Sequence, residues 1–181
     1  MAPIFLLLFI QDDLLLRGLS LVVFTIAALT DYFDGYYARL YEVESDFGIF
    51  LDPLADKFLT FAGFVCLPFL DPSQFPWWAI GLIVFRDIII TLLRIYSDRK
   101  GIIMETRKTA KAKTAIQMIY LYLALLLGFL MLIPGVTSEI VATIFSSDIL
   151  YWGMMGVVAI TVYSGVEYLY VNRKLLTSDS R

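Results

Sequence analysis

The sequence predicts an all-α, polytopic membrane protein, and three observations support this fold class. Hydrophobic residues make up 60% of the 181 residues, and the mean hydropathy is +0.79, whereas soluble domains are about 45–50% apolar. The apolar residues form long runs that are separated by polar breaks containing proline, glycine and charged residues. Most runs reach the ~20 residues that a spanning helix needs, so we expect a single membrane domain over residues 1–181.

Six transmembrane helices are predicted from the apolar segments at residues 1–10, 18–40, 47–70, 77–97, 112–133 and 149–171. The first segment is too short to span a bilayer alone, and it lacks the basic region and small-residue cleavage site of a signal peptide. We therefore expect it to be the second half of a truncated first helix. The predicted breaks between segments are residues 11–13, 42–46, 71–76, 97–108 and 134–148.

The distribution of lysine and arginine predicts how these helices cross the membrane. The loops after the second and fourth segments, with the C-terminal tail, carry most of the basic residues: Arg39, Arg99, Lys100, Arg107, Lys108, Lys111, Lys113, Arg173, Lys174 and Arg181. The loops on the opposite side carry only Arg17. This bias predicts a multi-pass protein of the cell (inner) membrane with both termini facing the cytoplasm.

The composition excludes several kinds of chemistry. The chain has no histidine, so a histidine general base and any histidine-ligated zinc or iron site are excluded. Cys66 is the single cysteine, so it cannot form an intrachain disulfide, and its apolar neighbours indicate a small packing residue. The net charge is -3, and apart from a cluster near residues 99–113 no basic surface suits a nucleic acid. The remaining oxygen ligands favour Mg²⁺, Mn²⁺ or Ca²⁺.

Four aspartates inside the apolar runs are the strongest functional signal. Asp31 and Asp34 are three residues apart in the second segment, and Asp52 and Asp56 are four apart in the third. Residues at these spacings share one face of a helix. An ionised carboxylate in hydrocarbon costs at least about 2.5–3.5 kcal/mol, so acids in such segments are functional candidates. Two facing carboxylate pairs predict a site for divalent cations, and we expect two ions.

Small and basic residues beside these acids have interpretations of their own. Gly35 inside a helix costs about 1 kcal/mol relative to alanine, which is reasonable if a nucleotide approaches the backbone there. Ala38 lies one turn further along that face, and Arg39 presents a donor fork that suits a phosphate or a carboxylate ligand. Taken alone, Gly35 and Ala38 are more typical of helix packing, and Arg39 of a membrane anchor. Gly48 would let the two acidic helices pack closely.

Together these residues form the pattern D-x2-D-G-x2-A-R-x8-G-x3-D-x3-D between Asp31 and Asp56. The pattern resembles the signature of the CDP-alcohol phosphotransferases at every defined position. The resemblance implies a six-helix membrane enzyme, usually a homodimer, that moves a phosphatidyl or related group from a CDP-linked donor to an alcohol and releases CMP. It implies that Asp31, Asp34 and Asp52 bind Mg²⁺ or Mn²⁺, while Asp56 completes the site and serves as the catalytic base. The nucleotide-binding residues would be Asp31, Gly35, Ala38 and Arg39.

The resemblance extends to the phosphatidylglycerophosphate synthases within this family, through residues 45–57, 86–90, 94 and 111–118. Those enzymes join CDP-diacylglycerol to sn-glycerol 3-phosphate, a dianion whose binding requires cations. The resemblance implies that Arg86, Arg94 and Lys111 hold the acceptor phosphate, and Lys113 supplies a further cation. Arg86 and Arg94 are eight residues apart, so they fall on roughly one face of the fourth segment. A salt bridge from Arg86 to Asp87 or to another helix is the alternative.

The start of the chain departs from the resembled family. Those enzymes carry a polar stretch with Asn, Thr and an Arg at the beginning of the first helix, and this stretch helps to bind the donor nucleotide. This chain begins Met1-Ala2-Pro3 instead. We therefore expect either a start site assigned too late or a truncated protein.

Several alternatives stay open on the sequence alone. A cardiolipin synthase of the same fold also uses an anionic acceptor, and phosphatidylserine and phosphatidylinositol-phosphate synthases share the signature. Membrane carboxylates also line ion paths, so a cation transporter or channel is a more distant alternative that the neighbouring arginines disfavour. A purely structural membrane protein would gain nothing from four clustered acids. Lys100, Arg107 and Lys108 are interpreted as contacts to anionic membrane lipids.

Overall fold

The structure is a computed structural model that describes the backbone of residues 1–41, 46–100 and 108–177. Within these ranges, the side chains of residues 31–41, 46–56, 98–99, 108, 136–137 and 174–177 lie outside the described set. The acidic pattern between Asp31 and Asp56 is therefore described only through the helical backbone of residues 31–41 and 46–56.

Seven α-helices and no strand occur in the described part of the chain. In order, they are α1 (Ala2–Phe9), α2 (Leu14–Tyr41), α3 (Asp46–Leu70), α4 (Trp77–Arg99), α5 (Lys108–Leu130), α6 (Val136–Ser146) and α7 (Ile149–Thr177). The predicted all-α class is confirmed. Helices α2, α3, α4, α5 and α7 coincide with five predicted segments to within a few residues at most ends, because each follows an apolar run bounded by polar residues.

The predicted break at residues 134–148 is wrong because it contains the helix α6. With 11 residues, α6 is too short to cross a bilayer, so the length of apolar runs gives no signal for it. The chain turns into α6 at Gly135, whose φ is 116°. Glycine adopts this φ without the steric penalty that other residues incur.

Acidic side chains order the ends of two helices. Asp13 accepts hydrogen bonds from the backbone N–H groups of Leu15 (2.9 Å) and Leu16 (3.0 Å), which satisfies otherwise unpaired donors in the first turn of α2. Between α3 and α4, Asp71 accepts hydrogen bonds from the backbone N–H (2.8 Å) and the hydroxyl (2.6 Å) of Ser73. Both polar breaks therefore have the structure of capped turns.

Helices α3 and α5 lie at the centre of the bundle. Helix α3 packs against α1, α2, α4 and α5, and α5 also packs against α2, α6 and α7. Their shared core contains fully buried side chains from five helices: Phe5, Phe9, Phe24, Phe64, Leu121, Leu125 and Met154. The rings of Phe5 and Phe24 lie 5.0 Å apart between centroids and join α1 to α2. This packing fixes the relative positions of the central helices, which carry buried polar residues as well as the apolar core.

Two of the described helical stretches are long and apolar enough to cross a membrane by length and composition. They are Thr109–Leu130 and Ile149–Arg173, each with a mean hydropathy of 1.6. Shorter apolar stretches are Leu14–Thr30 and Lys57–Leu70. Large apolar side chains such as Phe85 are exposed on the outer surface of the bundle, where lipid would cover them in a membrane. The number of spanning helices, six, stays a prediction.

Arg17, which the sequence analysis placed in a loop, lies inside α2 and is 5% exposed. Its guanidinium pairs with Asp12 (2.6 Å) and donates to the backbone carbonyls of Phe9 (3.2 Å) and Gly128 (3.1 Å). The placement in a loop is therefore wrong, since these acceptors allow the arginine to be buried. Arg17 joins the α1–α2 corner to α5.

We expect Arg17→Met to lower the melting temperature of the detergent-solubilised protein by several degrees. The substitution leaves the Phe9 and Gly128 carbonyls without donors, and each unpaired buried group costs about 1–3 kcal/mol. Leu15→Met is a suitable control on the same helix because Leu15 is 80% exposed. Equal melting temperatures for the two variants would show that the Arg17 contacts contribute nothing to stability.

Candidate active site

The four aspartates of the acidic pattern lie on two helices that pack against each other. Asp31 and Asp34 belong to α2, and Asp52 and Asp56 belong to α3. Each pair lies in continuous helix, so the backbone preserves the spacing that places both members on one face. Their side chains lie outside the described residues, as do those of Gly35, Ala38 and Arg39. Their metal-binding, catalytic and nucleotide-binding roles stay predictions.

The donor set itself fits a hard divalent cation. Each of the four side chains offers carboxylate oxygens, the ligands that Mg²⁺ and Mn²⁺ prefer. The side chains that the structure describes contain no other group of three or more acidic or cysteine residues able to hold a metal. A metal centre formed by Asp31, Asp34, Asp52 and Asp56 stays a prediction.

A buried ion-pair cluster joins α3, α4 and α5 around Asp87. The Asp87 carboxylate on α4 is 5% exposed and accepts hydrogen bonds from the Lys113 ammonium of α5, at 2.5 Å to Oδ1 and 2.7 Å to Oδ2. Lys57 of α3 approaches the same carboxylate at 3.9 Å. Lys57 directly follows Asp56 in the sequence, so the cluster begins next to the last acid of the pattern.

Arg86 is the third cation of this cluster and connects it to α7. Its Nη1 donates to Asp87 at 3.1 Å, and its Nη2 donates to the hydroxyl of Ser164 at 3.0 Å. The Arg86 side chain is 13% exposed, and its buried Nε has no hydrogen-bond partner among the described residues. The salt bridge to Asp87, left open as an alternative by the sequence, is present. Binding of an acceptor by Arg86 stays a prediction.

The structure places the other two predicted acceptor ligands on exposed positions. Arg94 is exposed on α4, and its guanidinium carbon lies 5.9 Å from the centroid of the Tyr168 ring on α7. Arg86 and Arg94 therefore both contact α7, in agreement with their eight-residue spacing. Lys111 is exposed on α5, whereas Lys113 is buried, because residues two apart point to nearly opposite sides of a helix.

Sequence reasoning assigned no site role to Asp87, Lys57 or Ser164. Asp87 was considered only as a possible partner of Arg86, although an acid inside an apolar run is itself a signal of function. Its contact with Lys113 depends on how α4 and α5 are rotated against each other, which no local pattern specifies. Ser164 has no local signal, since serine is common in membrane helices as a packing residue.

The helices and polar groups together define the class of protein. A helical bundle with acids on two packed apolar helices, and buried charged residues on neighbouring helices, is typical of a membrane protein with a functional polar site. The family of CDP-alcohol phosphatidyltransferases matches residues 1–163, and the chain belongs to this family. It is therefore a polytopic membrane protein of that enzyme family, and the family resemblance seen in the sequence is confirmed.

The curated proteins that are similar to this chain include three from different bacteria. The CDP-diacylglycerol–glycerol-3-phosphate 3-phosphatidyltransferase of Bacillus subtilis is 34% identical over 159 residues, covering 88% of this chain and 76% of that protein. The protein of the same name from Cereibacter sphaeroides is 39% identical over 102 residues, covering 55% and 46%. A probable phosphatidylglycerophosphate synthase of Mycobacterium tuberculosis is 31% identical over 153 residues, covering 84% and 65%. The chain thus spans between about half and three quarters of these relatives.

Proposed function

We propose that this chain transfers the phosphatidyl group of CDP-diacylglycerol to sn-glycerol 3-phosphate, giving phosphatidylglycerophosphate and CMP in phospholipid biosynthesis. The observation that carries the proposal is the match to the Bacillus subtilis relative of that activity over 88% of this chain. The relatives from Cereibacter sphaeroides and Mycobacterium tuberculosis have names that agree with it. The buried cations around Asp87 support an anionic acceptor, since a neutral alcohol would not require them.

On the donor side, Asp31, Asp34 and Asp52 would hold Mg²⁺ or Mn²⁺, and Asp56 would complete the site. Two bound ions would neutralise the donor diphosphate and stabilise the oxygen that leaves with CMP. Gly35 would allow the nucleotide to approach the α2 backbone, with Asp31, Ala38 and Arg39 as its other contacts. Such residues contribute mainly by positioning the substrates and stabilising charge.

On the acceptor side, Arg86, Arg94 and Lys111 would hold the phosphate of glycerol 3-phosphate. Asp56 would take the proton from the attacking hydroxyl of the acceptor. The contacts of Lys57 support a base at Asp56 close to a phosphate ligand at Arg86. Lys57 follows Asp56 in the sequence and contacts the same carboxylate as Arg86. The proton acceptor and the basic cluster would therefore lie at neighbouring positions of α3 and α4.

We also propose how the protein lies in the membrane and that it forms a dimer. Both termini and the site would face the cytoplasm of the cell membrane, in accord with the lysine and arginine distribution. A homodimer, as the family resemblance implies, completes the proposal.

Metal removal tests the donor half of this proposal. With CDP-diacylglycerol and glycerol 3-phosphate supplied to the detergent-solubilised protein, EDTA should abolish CMP release, and excess Mg²⁺ or Mn²⁺ should restore it. The reason is that the carboxylates of α2 and α3 would repel the donor diphosphate without bound cations. Full CMP release in the presence of chelator would contradict the metal site.

Substitution of Arg86 tests the acceptor half. We expect Arg86→Ala to raise the KM for glycerol 3-phosphate by about 10–100-fold, the equivalent of a charge-assisted hydrogen bond worth about 1.5–3 kcal/mol. The KM for CDP-diacylglycerol should change much less. Lys111→Ala should act in the same direction, and Lys100→Ala is the control because Lys100 is an exposed cation outside the proposed site. Equal changes in both KM values would contradict the assignment.

A further inference from the structure

Arg86 is held from two sides by residues that would not themselves contact the substrates. On one side is Asp87, which also binds the ammonium of Lys113 at 2.5 and 2.7 Å. Arg86, Lys113 and, at 3.9 Å, Lys57 thus share one carboxylate among the described residues, which leaves the four groups with a net positive charge. Lys113 is 2% exposed, so its buried pair with Asp87 joins α5 to α4 next to Arg86.

On the other side, Ser164 and Gly165 of α7 contact the Arg86 side chain closely and are called the Ser164–Gly165 seat. The Ser164 hydroxyl donates to the Thr161 carbonyl at 3.0 Å, so its oxygen lone pairs can accept the Arg86 Nη2 donor at 3.0 Å. The next residue is Gly165, where a Cβ would lie 3.0 Å from Arg86 Nε and 3.1 Å from Arg86 Cγ. The arginine side chain therefore lies directly against the α7 backbone in space that only glycine leaves open.

We infer that Asp87 and the Ser164–Gly165 seat are positioning residues that hold the Arg86 guanidinium ready for the acceptor phosphate. An arginine has five N–H donors, and Asp87 and Ser164 each engage one. Donors remain for a phosphate oxygen, and the arginine loses little further freedom when that oxygen binds. This inference rests on the proposed function, and it makes α7 a part of the acceptor site.

The double variant Asp87→Leu/Lys113→Met separates positioning from folding. It removes one buried charge of each sign, so the local net charge is unchanged and the fully buried Lys113 is not left as an unpaired cation, while Arg86 keeps its hydrogen bond to Ser164. We expect a folded protein, judged by its melting temperature and by gel filtration in detergent. Its KM for glycerol 3-phosphate should nevertheless rise roughly 10-fold, as for one weakened charge-assisted hydrogen bond, with the KM for CDP-diacylglycerol unchanged.

A glycine pair on α7 gives a second test that leaves every charge in place. Gly165→Ala introduces a methyl group against Arg86, whereas at Gly156 of the same helix a Cβ meets nothing within 4 Å. Alanine favours a helix over glycine, so neither substitution should unfold α7. We expect Gly165→Ala to raise the KM for glycerol 3-phosphate several-fold and Gly156→Ala to behave as the parent protein.

The outcomes distinguish this inference from the function on which it rests. A parent protein that releases no CMP in response to glycerol 3-phosphate overturns the proposed function and this inference together. A parent that uses glycerol 3-phosphate, while Gly165→Ala and the folded double variant keep the parental KM, overturns the inference alone. An equal rise in both KM values, or a lower kcat alone, also overturns it, since positioning of Arg86 acts on the acceptor.

Discussion

Asp56→Asn is expected to reduce turnover by about 10²–10⁴-fold, the usual contribution of a general base. Asp56 is the last acid of the pattern and lies one helical turn beyond Asp52 on α3. In the proposed site it would face the cations and the hydroxyl of the acceptor. With no histidine in the chain, a carboxylate is the natural proton acceptor. The measurement is the kcat for CMP release at saturating concentrations of both substrates.

Binding measurements separate the base from a metal ligand. If Asp56 acts chiefly as the base, Asp56→Asn should retain most of its affinity for Mn²⁺ and for CDP-diacylglycerol. Asp148→Asn is the matched control because Asp148 is an exposed carboxylate in the α6–α7 connection. Turnover within a few-fold of the parent, or loss of Mn²⁺ binding together with turnover, would show that the assignment of the base is wrong.

The second large effect is on stability. Asp87→Asn should destabilise the protein by about 3–5 kcal/mol, the typical cost of removing one partner of a buried ion pair. The substitution preserves the shape of the side chain but leaves Lys113, which is 2% exposed, without its carboxylate. We expect a large fall in the melting temperature and in the yield of monodisperse protein in detergent.

A double substitution provides the control for this stability effect. Asp87→Leu/Lys113→Met removes both charges, so it should recover most of the melting temperature that Asp87→Asn loses. If Asp87→Asn melts with the parent protein, the pair contributes little to the fold. If the double variant is no more stable than the single one, the loss comes from packing at this position and not from an unpaired charge.

The sequence predicts those parts of the fold that depend on long apolar runs. Helices α4 and α7 begin at the predicted residues, 77 and 149, because each run follows a polar break. The short α6 was missed, since 11 residues between Pro134-Gly135 and Ser147-Asp148 resemble a loop. Arg17 was misplaced because the general rule puts a basic residue outside the membrane, and only tertiary acceptors allow this one to be buried.

The sequence predicts those features of the candidate site that depend on spacing within a single helix. The spacing of Asp31, Asp34, Asp52 and Asp56 is a property of single helices, and the family signature follows from it. The contrast between exposed Lys111 and buried Lys113 depends instead on the rotation of α5 against its neighbours. Contacts from α7 to Arg86 depend on packing between helices that are distant in the sequence.

A comparison of acceptor alcohols tests most directly whether this chain transfers the phosphatidyl group to glycerol 3-phosphate. The full chain in detergent would receive labelled CDP-diacylglycerol, Mg²⁺ and one acceptor at a time: glycerol 3-phosphate, phosphatidylglycerol, serine or inositol phosphate. Mass spectrometry would identify the lipid formed, and CMP would be measured in parallel. We predict phosphatidylglycerophosphate and equimolar CMP with glycerol 3-phosphate and no labelled product with the other three. Cardiolipin formed from phosphatidylglycerol, with no product from glycerol 3-phosphate, would contradict the proposed function.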